Sequence, residues 1–162
     1  MAKGSSPLSL SLSNLISRLD AGSASRVATG NSLVYEQVAG RFNVFQLRLT
    51  NAKRAEGSPS VLVSEKGDKM RPELSPDGTT IPFESNRLGF WKIWTCKISG
   101  NDCAQVTALH GTAGRARWSP NGRYIAFEFH PNERREIYVV EVPGGIPRLL
   151  TTIPGSDNLS PS

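Results

Sequence analysis

Apolar and polar positions along this chain alternate in short runs, each closed by turn-forming residues. Residues 92–97 show the pattern best, with Ile93, Thr95 and Lys97 set against Trp94, Cys96 and Ile98, which is what a strand with two distinct faces requires. Shorter runs at 71–75, 80–85 and 104–107 read as three further strands. Pro76 cannot donate to a ladder and Asp77-Gly78 tolerates positive φ, so a hairpin is predicted between the first two. Ser99-Gly100 predicts the turn between the third and fourth. The span 71–107 is therefore expected to hold four strands.

The plan then returns. Laying residues 71–111 over 115–155 without a gap gives eleven identities in 41 positions, where ordinary composition would give roughly two or three. Arg71, Ser75, Pro76 and Gly78 recur as Arg115, Ser119, Pro120 and Gly122, and Ile81, Phe83 and Glu84 as Ile125, Phe127 and Glu128. Ile93, Gly100, Thr107 and Gly111 return as Ile137, Gly144, Thr151 and Gly155. The substitutions between them preserve kind: Leu74 to Trp118, Asp77 to Asn121, Trp94 to Tyr138, Val106 to Leu150. A gapless offset of 44 residues carrying four short strands is the mark of a propeller blade. A sandwich of irregular strands would not keep such a register.

Upstream the plan is weaker. Leu33-Val34-Tyr35 stands where Ile81-Pro82-Phe83 does, 44–47 where the third strand is, and Val61-Leu62-Val63 where Gln105-Val106-Thr107 is. The first strand, around 25–28, lacks the Ser-Pro-Asp-Gly turn. The expected organisation is a weakly ordered Ser-rich leader over 1–24, a degenerate blade over 25–68, blades over 69–112 and 113–155, and the start of a truncated further blade over 156–162. The fold class is all-β, a partial propeller of four-stranded antiparallel blades.

Composition changes this picture little. With 15 Gly and 11 Pro among 162 residues, turns are favoured over long helices. The net charge of +5 would suit an anionic partner if it were clustered. It is scattered, and Arg134 and Arg135 sit beside Glu133 and Glu136, so nucleic-acid binding is not expected. No run reaches the roughly 20 apolar residues of a membrane span. Residues 7–15 are too rich in Ser for a convincing signal-peptide core.

Residues 71–85 (RPELSPDGTTIPFES) and 115–129 (RARWSPNGRYIAFEF), with Ile93-Trp94, Ile137-Tyr138 and Leu150-Thr151, closely resemble the TolB-type propeller repeat. The resemblance covers about residues 30–162 and is strongest from 69 onward. It implies that Ser-Pro-Asp-Gly turns between the two inner strands of each blade. The motif specifies fold and not function, since such blades also gate prolyl-oligopeptidase-like peptidases and form sensor regions of bacterial regulators. TolB-like propellers typically have about six blades, so three would not close a ring. Apolar residues of the end sheets, Val44, Phe45 and Leu47 or Ile137, Tyr138 and Val139, are expected to lie uncovered and to invite self-association.

No catalytic, cofactor-binding or metal-ligating residue is expected. A serine hydrolase needs Gly-x-Ser-x-Gly at a strand-to-helix turn, and the chain has no such pentapeptide. His110 and His130, the only histidines, fall in predicted loops, with no second His or Cys at metal-ligand spacing. Asp77 could be read as a calcium ligand, but its exchange for Asn121 beside a Gly fits a turn requirement better. Trp94 and Trp118 read as packing between blades, as does Trp91, which on a loop after Gly89-Phe90 could instead be an exposed platform. Cys96 and Cys103 flank the Ser99-Gly100 turn. They face each other if that turn is a two-residue hairpin. If Gly100 forms the bulge of a three-residue loop, Cys96 faces Asp102 instead.

The expected function is a non-enzymatic binding scaffold. Loops or the central channel of the propeller would engage a protein or small ligand, and the resemblance to TolB implies the periplasm. The alternatives are the access-gating propeller of a peptidase and the sensor region of a transcriptional regulator.

Overall fold

The computed structural model describes residues 24–26, 31–38, 40–51, 55–131 and 134–151. Strand formers alternating with polar residues are divided by glycines at positive φ, and the result is twelve strands and no helix among these residues. The first sheet holds β1 (Ala24–Arg26), β2 (Ser32–Val38), β3 (Phe42–Leu49) and β4 (Ala55–Val61). The second holds β5 (Lys69–Met70), β6 (Thr80–Leu88), β7 (Phe90–Lys97) and β8 (Ala104–Gln105). The third holds β9 (Thr112–Trp118), β10 (Tyr124–His130), β11 (Glu136–Glu141) and β12 (Arg148–Leu149). Every pairing is antiparallel and joins strands adjacent in the chain. This is a meander repeated three times, the construction of a propeller blade.

The sheets stack because both faces of the middle one are apolar. One face puts Ile81, Phe83 and Cys96 against Val34, Val44, Leu62, Val63 and Leu74. The other puts Ile93 against Ala113, Ala116, Ile125, Phe127, Phe129 and Val140. The first strand of each later sheet lies on the sheet before it, β5 on β3 and β9 on β6 and β7. Buried apolar surface at roughly 25 cal/mol per Å² holds the stack together.

Two expectations are corrected here. The first strand of the second sheet, expected over 71–75, is β5 at Lys69–Met70. Arg71 takes φ 48° and Arg115, at φ 52°, stays within β9, but Pro72 has no N–H to donate where Ala116 has one, and beyond it only single bonds from Glu73 N–H to Pro82 O and from Ser75 N–H to Thr80 O continue the pairing. The end sheets are also less open than expected: Val44 and Leu47 are 0% and 1% exposed and Ile137 6%, while Phe45, Tyr138 and Val139 are half-buried. The pleat is the reason in part. Val44 points inward to the second sheet, and Tyr138 packs against the cluster shared by the second and third. Leu47 lies on the far face of the first sheet, buried with Leu33, Tyr35 and Leu49.

The hairpin after β7 answers the question of the cysteines. Gly100 N–H bonds Lys97 O and Lys97 N–H bonds Asn101 O, so the loop is the three-residue kind, with Gly100 at φ 82°. That register alone would set Cys96 opposite Asp102. Asp102 takes φ 50° and bulges out, so that Thr95 faces Ala104 and Trp94 faces Gln105. Cys96 and Cys103 then meet with Cα atoms 4.1 Å apart and form a disulfide.

Candidate functional site

A four-stranded meander has two kinds of connection, and they emerge at opposite ends of the stack. At one end lie the tight turns joining the first strand to the second and the third to the fourth. Here Ser75 Oγ donates to Asp77 Oδ1 at 2.5 Å while accepting from Thr80 N–H, and Asp77 Oδ1 accepts from Thr79 N–H. Ser119, Asn121, Arg123 and Tyr124 repeat that arrangement in the third sheet. An amide oxygen does the work of a carboxylate oxygen, so Asp77 serves turn geometry. Hydrogen bonds from Ser75 and Thr79 hold its carboxyl below the usual range.

The other end, the loop end, carries the connections from β2 to β3, β6 to β7 and β10 to β11, together with those that lead from sheet to sheet. Its chemistry begins with the recurrent Arg and Glu. Glu36, Glu84 and Glu128 lie on the second strands of the three sheets and are buried. Arg71 donates its backbone N–H to Glu36 Oε2 at 2.5 Å and its guanidinium Nη1 to Glu84 Oε2 at 2.6 Å. Arg115 repeats the arrangement, with its N–H on Glu84 Oε1 at 2.6 Å and Nη1 on Glu128 Oε1 at 3.4 Å. Each arginine thus binds the sheet before it through its backbone and its own sheet through its side chain. Arg115, like Arg71, has a positive φ, 52°, and that strained geometry aims the N–H backward at the carboxylate.

Packing makes room for this relay. Gly114 carries no side chain where one would crowd Glu84: a Cβ there would sit 3.2 Å from the carboxyl carbon. Burial pushes the Glu84 carboxyl above its usual range, against the pull of Arg115 N–H and of Arg71. Glu73 makes a second bond across the same seam, accepting Trp118 N–H at 3.2 Å. Its carboxyl is also raised by burial, with Arg117 and the Trp118 amide opposing.

Above the relay opens a cavity of about 270 Å³. Arg71, Arg115, Glu84 and Glu128 form its base, and Met70, Trp91, Thr112, Gly114, His130 and Arg135 its walls. The Arg71 and Arg115 side chains are 41% and 46% exposed and the two glutamates about a tenth of that. At the same end the loop tips carry uncovered apolar pairs, Val38 with Phe42 on the first sheet and Leu88 with Phe90 on the second, the latter next in sequence to Trp91 of the cavity.

Two buried lysines stiffen the sheet-to-sheet connections at this end. Lys69 Nζ donates to Glu65 O and Gly67 O, and Lys92 Nζ to Leu109 O and Gly111 O. Burial pushes both ammonium groups below their usual range.

The residues singled out in the sequence are distributed unevenly. His130 ends β10 and does not lie in a loop; it stands 3.6 Å from Glu128 on the cavity wall. Trp91 is in β7, again not in a loop, and is half-buried on the same wall. His110 is exposed and meets Phe90 edge-on. Trp94 and Trp118 pack between sheets as expected, with Arg87 lying 4.0 Å over the Trp94 ring. The described residues contain no group of three or more His, Cys, Asp or Glu suited to a metal ion. Sequence reasoning found the repetition of Arg71 and Glu84 but missed their role and missed Glu36. The alignment of Leu33-Val34-Tyr35 with Ile81-Pro82-Phe83 carries Glu36 onto Glu84 at an offset of 84 − 36 = 48 residues, so the signal lay one residue beyond that triplet.

No protein-family model matches the chain. The Tol-Pal system protein TolB of Anaeromyxobacter dehalogenans is 31% identical over 101 residues, 62% of this chain and 23% of that protein. The chain thus spans about a quarter of the length of the curated relatives it matches. Among solved structures, TolB from Acinetobacter baumannii superposes with a TM-score of 0.67 at 20% identity, over 82% of this chain and 32% of that one. A puromycin-hydrolysing peptidase of Mycobacterium tuberculosis superposes with a TM-score of 0.58 at 13% identity, over 75% of this chain and 21% of that one. With three stacked four-stranded meanders and a recurring Ser-Pro-Asp/Asn-Gly turn, the described residues form part of a β-propeller that is similar to TolB proteins in both sequence and structure.

Proposed function

We propose that the chain is a non-enzymatic binding scaffold whose loop end engages a partner, with blades over 25–68, 69–112 and 113–155. The observation that carries this reading is the pair of apolar loop tips. Leu88 and Phe90 are 65% and 54% exposed, and Val38 and Phe42 62% and 36%. Large apolar side chains held in water beside a polar cavity are what a binding surface presents before it is covered. The opposite end ties its turns with Ser75, Asp77, Ser119 and Asn121, and there Ile146, between β11 and β12, is exposed as well. The Cys96–Cys103 bridge supports an oxidising compartment outside the cytoplasm, in keeping with the periplasmic expectation.

The test is affinity enrichment of a bacterial envelope extract on the immobilised chain. It is run in parallel with a Leu88→Ser/Phe90→Ser variant and with Arg123→Glu at the turn end. The reading expects specific proteins that are lost with the first variant and kept with the second. The reverse pattern, or turnover of peptide substrates by the purified chain, would overturn it. A second reading, a propeller gating access to a peptidase, is favoured by the fold likeness to peptidases, the Mycobacterium tuberculosis enzyme among them.

A further inference from the structure

At the turn end the two seams of the stack are made of equivalent parts and close differently. In the first seam the β7–β8 turn lies directly on Leu62, just after β4. A Cβ on Gly100 would meet Leu62 O at 2.3 Å, and Ile98 and Cys103 pack against the cluster that holds Leu62. The same parts recur 44 positions on, Val106 for Leu62, Gly144 for Gly100 and Pro147 for Cys103, but the contact does not. A Cβ on Gly144 would meet nothing within 4 Å, Val106 is half-buried and Ile146 is 89% exposed. With Val140 and Pro147 in place of the bridged Cys96 and Cys103, no disulfide draws this turn down. Between the separated parts lies a cavity of about 430 Å³, walled by Val106, Leu109, Val140, Val142, Ile146 and Pro147. Small-ligand pockets span roughly 300–1,000 Å³ and are walled in the same apolar way.

This apolar compartment adjoins a polar one. Thr95, Ala104, Val142 and Pro143 line it and also line a second cavity, of about 380 Å³, which reaches Asp77, Asp102, Lys97 and Trp118. Two carboxylates there stand against one ammonium group, and Glu141 on the apolar side is already paired with Arg123. The Trp118 indole Nε1 is buried without an acceptor among the described residues, a state that costs free energy until a carbonyl or similar group meets it. We propose that the two cavities together form a subsite for the amino-terminal residue of a peptide when that residue is aliphatic. Its side chain enters the apolar compartment and its ammonium group lies in the polar one, where the excess negative charge favours a cation. Asp77 has its oxygens held by Ser75 and Thr79, so Asp102, exposed on its bulge at φ 50°, is the receiving carboxylate. The subsite lies at the end opposite the loop tips and goes beyond the scaffold reading.

The experiment is a nuclear magnetic resonance titration of the full chain. It follows the Trp118 indole N–H and the Val106 and Ile146 methyl signals as the dipeptide Leu-Ala, with a free amino group and an amidated C-terminus, is added. Saturable shifts are expected. Ser-Ala amide should bind about tenfold more weakly, because it lacks the buried aliphatic group. Acetylated Leu-Ala amide should bind about fivefold more weakly, the worth of one partly exposed ion pair. Acetylated Lys-Ala amide tells a terminal ammonium group from one on a side chain and should bind no better than the Ser peptide. Asp102→Asn keeps a residue type that tolerates the positive φ and should weaken Leu-Ala amide about fivefold while leaving its acetylated form unchanged. Ala104→Leu, at an exposed position shared by both cavities, should weaken both forms. Shifts that do not saturate, equal affinity for the free and acetylated peptides, equal affinity for the Leu and Ser peptides, or a folded Asp102→Asn chain that binds as the parent does would each overturn the proposal. If either variant fails to fold, the four peptides on the parent chain still decide.

Discussion

The two ends of the stacked sheets are built from the same repeat but use it differently. At the turn end Ser75 and Asp77 make the same bonds as Ser119 and Asn121; these polar side chains are occupied with one another, while Ile146 is exposed there and a cavity of about 380 Å³ opens beside Asp77 and Trp118. At the loop end the backbone of each repeat does the joining, and the side chains of Arg71 and Arg115 project into a cavity beside uncovered apolar tips. The polar side chains of one end are tied within single turns, and those of the other tie one sheet to the next. Repetition of sequence therefore does not by itself separate scaffold from site. The difference lies in whether a repeated polar group is satisfied locally or across a seam.

That contrast can be broken most severely at Glu84. Glu84→Ala would leave the Arg115 amide and the Arg71 guanidinium without their buried acceptor, and the loss expected is about 3–5 kcal/mol, read by denaturant unfolding. A loss below about 1 kcal/mol would show that the relay does not hold the seam. Next in size is the disulfide, which lies at the turn end. Closing so short a loop is worth about 2–3 kcal/mol in the chain-entropy view, so reductant should lower the melting temperature of the chain. A Cys96→Val variant, which adopts the residue found at Val140, should melt low and be indifferent to reductant.

The pH dependence is a smaller effect and distinguishes the seam between sheets from the turn by sign. Glu84 and Glu73 have carboxyls raised by burial, so they bind protons more readily folded than unfolded. Their contribution is fully present below the ordinary carboxylate range and is lost as pH rises through their raised values. Asp77 is lowered and behaves in the opposite way, giving stability above the ordinary aspartate range that is lost on acidification. Melting curves across the acidic range for Glu73→Gln should therefore show less decline with rising pH than the parent. The smallest effect expected is that of Asp77→Asn, within about 0.5 kcal/mol, because Asn121 already fills the equivalent turn. A calcium-dependent melting shift present in the parent and absent from this variant would return Asp77 to the list of metal ligands.

Much of the architecture could be read from spacing alone. Ser-Pro-Asp-Gly marked its turn because each residue meets a local requirement, and β6, β7, β10 and β11 follow the alternation that predicted them. What could not be read depended on distant partners or on single backbone torsions. The segment 71–75 has a strand's composition but leaves the ladder at Arg71-Pro72, where a positive φ meets a residue without an N–H, whereas Arg115 with nearly the same torsion stays within β9. The cysteine pairing turned on a bulge at Asp102 that no residue type at that position dictates. The candidate site was hidden for the same reason: Glu84 was visible as a repeated residue, but its partner is a main-chain amide 31 positions further on, and main-chain amides leave no trace in a sequence.

The relay also bears on how such a chain can change. At positions 71 and 115 the bond that registers one sheet on the next uses an atom that every residue except proline possesses, subject to the steric cost of a positive φ. The side chain at the same position holds the buried glutamate of its own sheet. Exchange of the arginine would therefore keep the backbone bond of the seam while costing the ion pair inside the blade, so that neighbouring sheets stay in register while a single blade loosens.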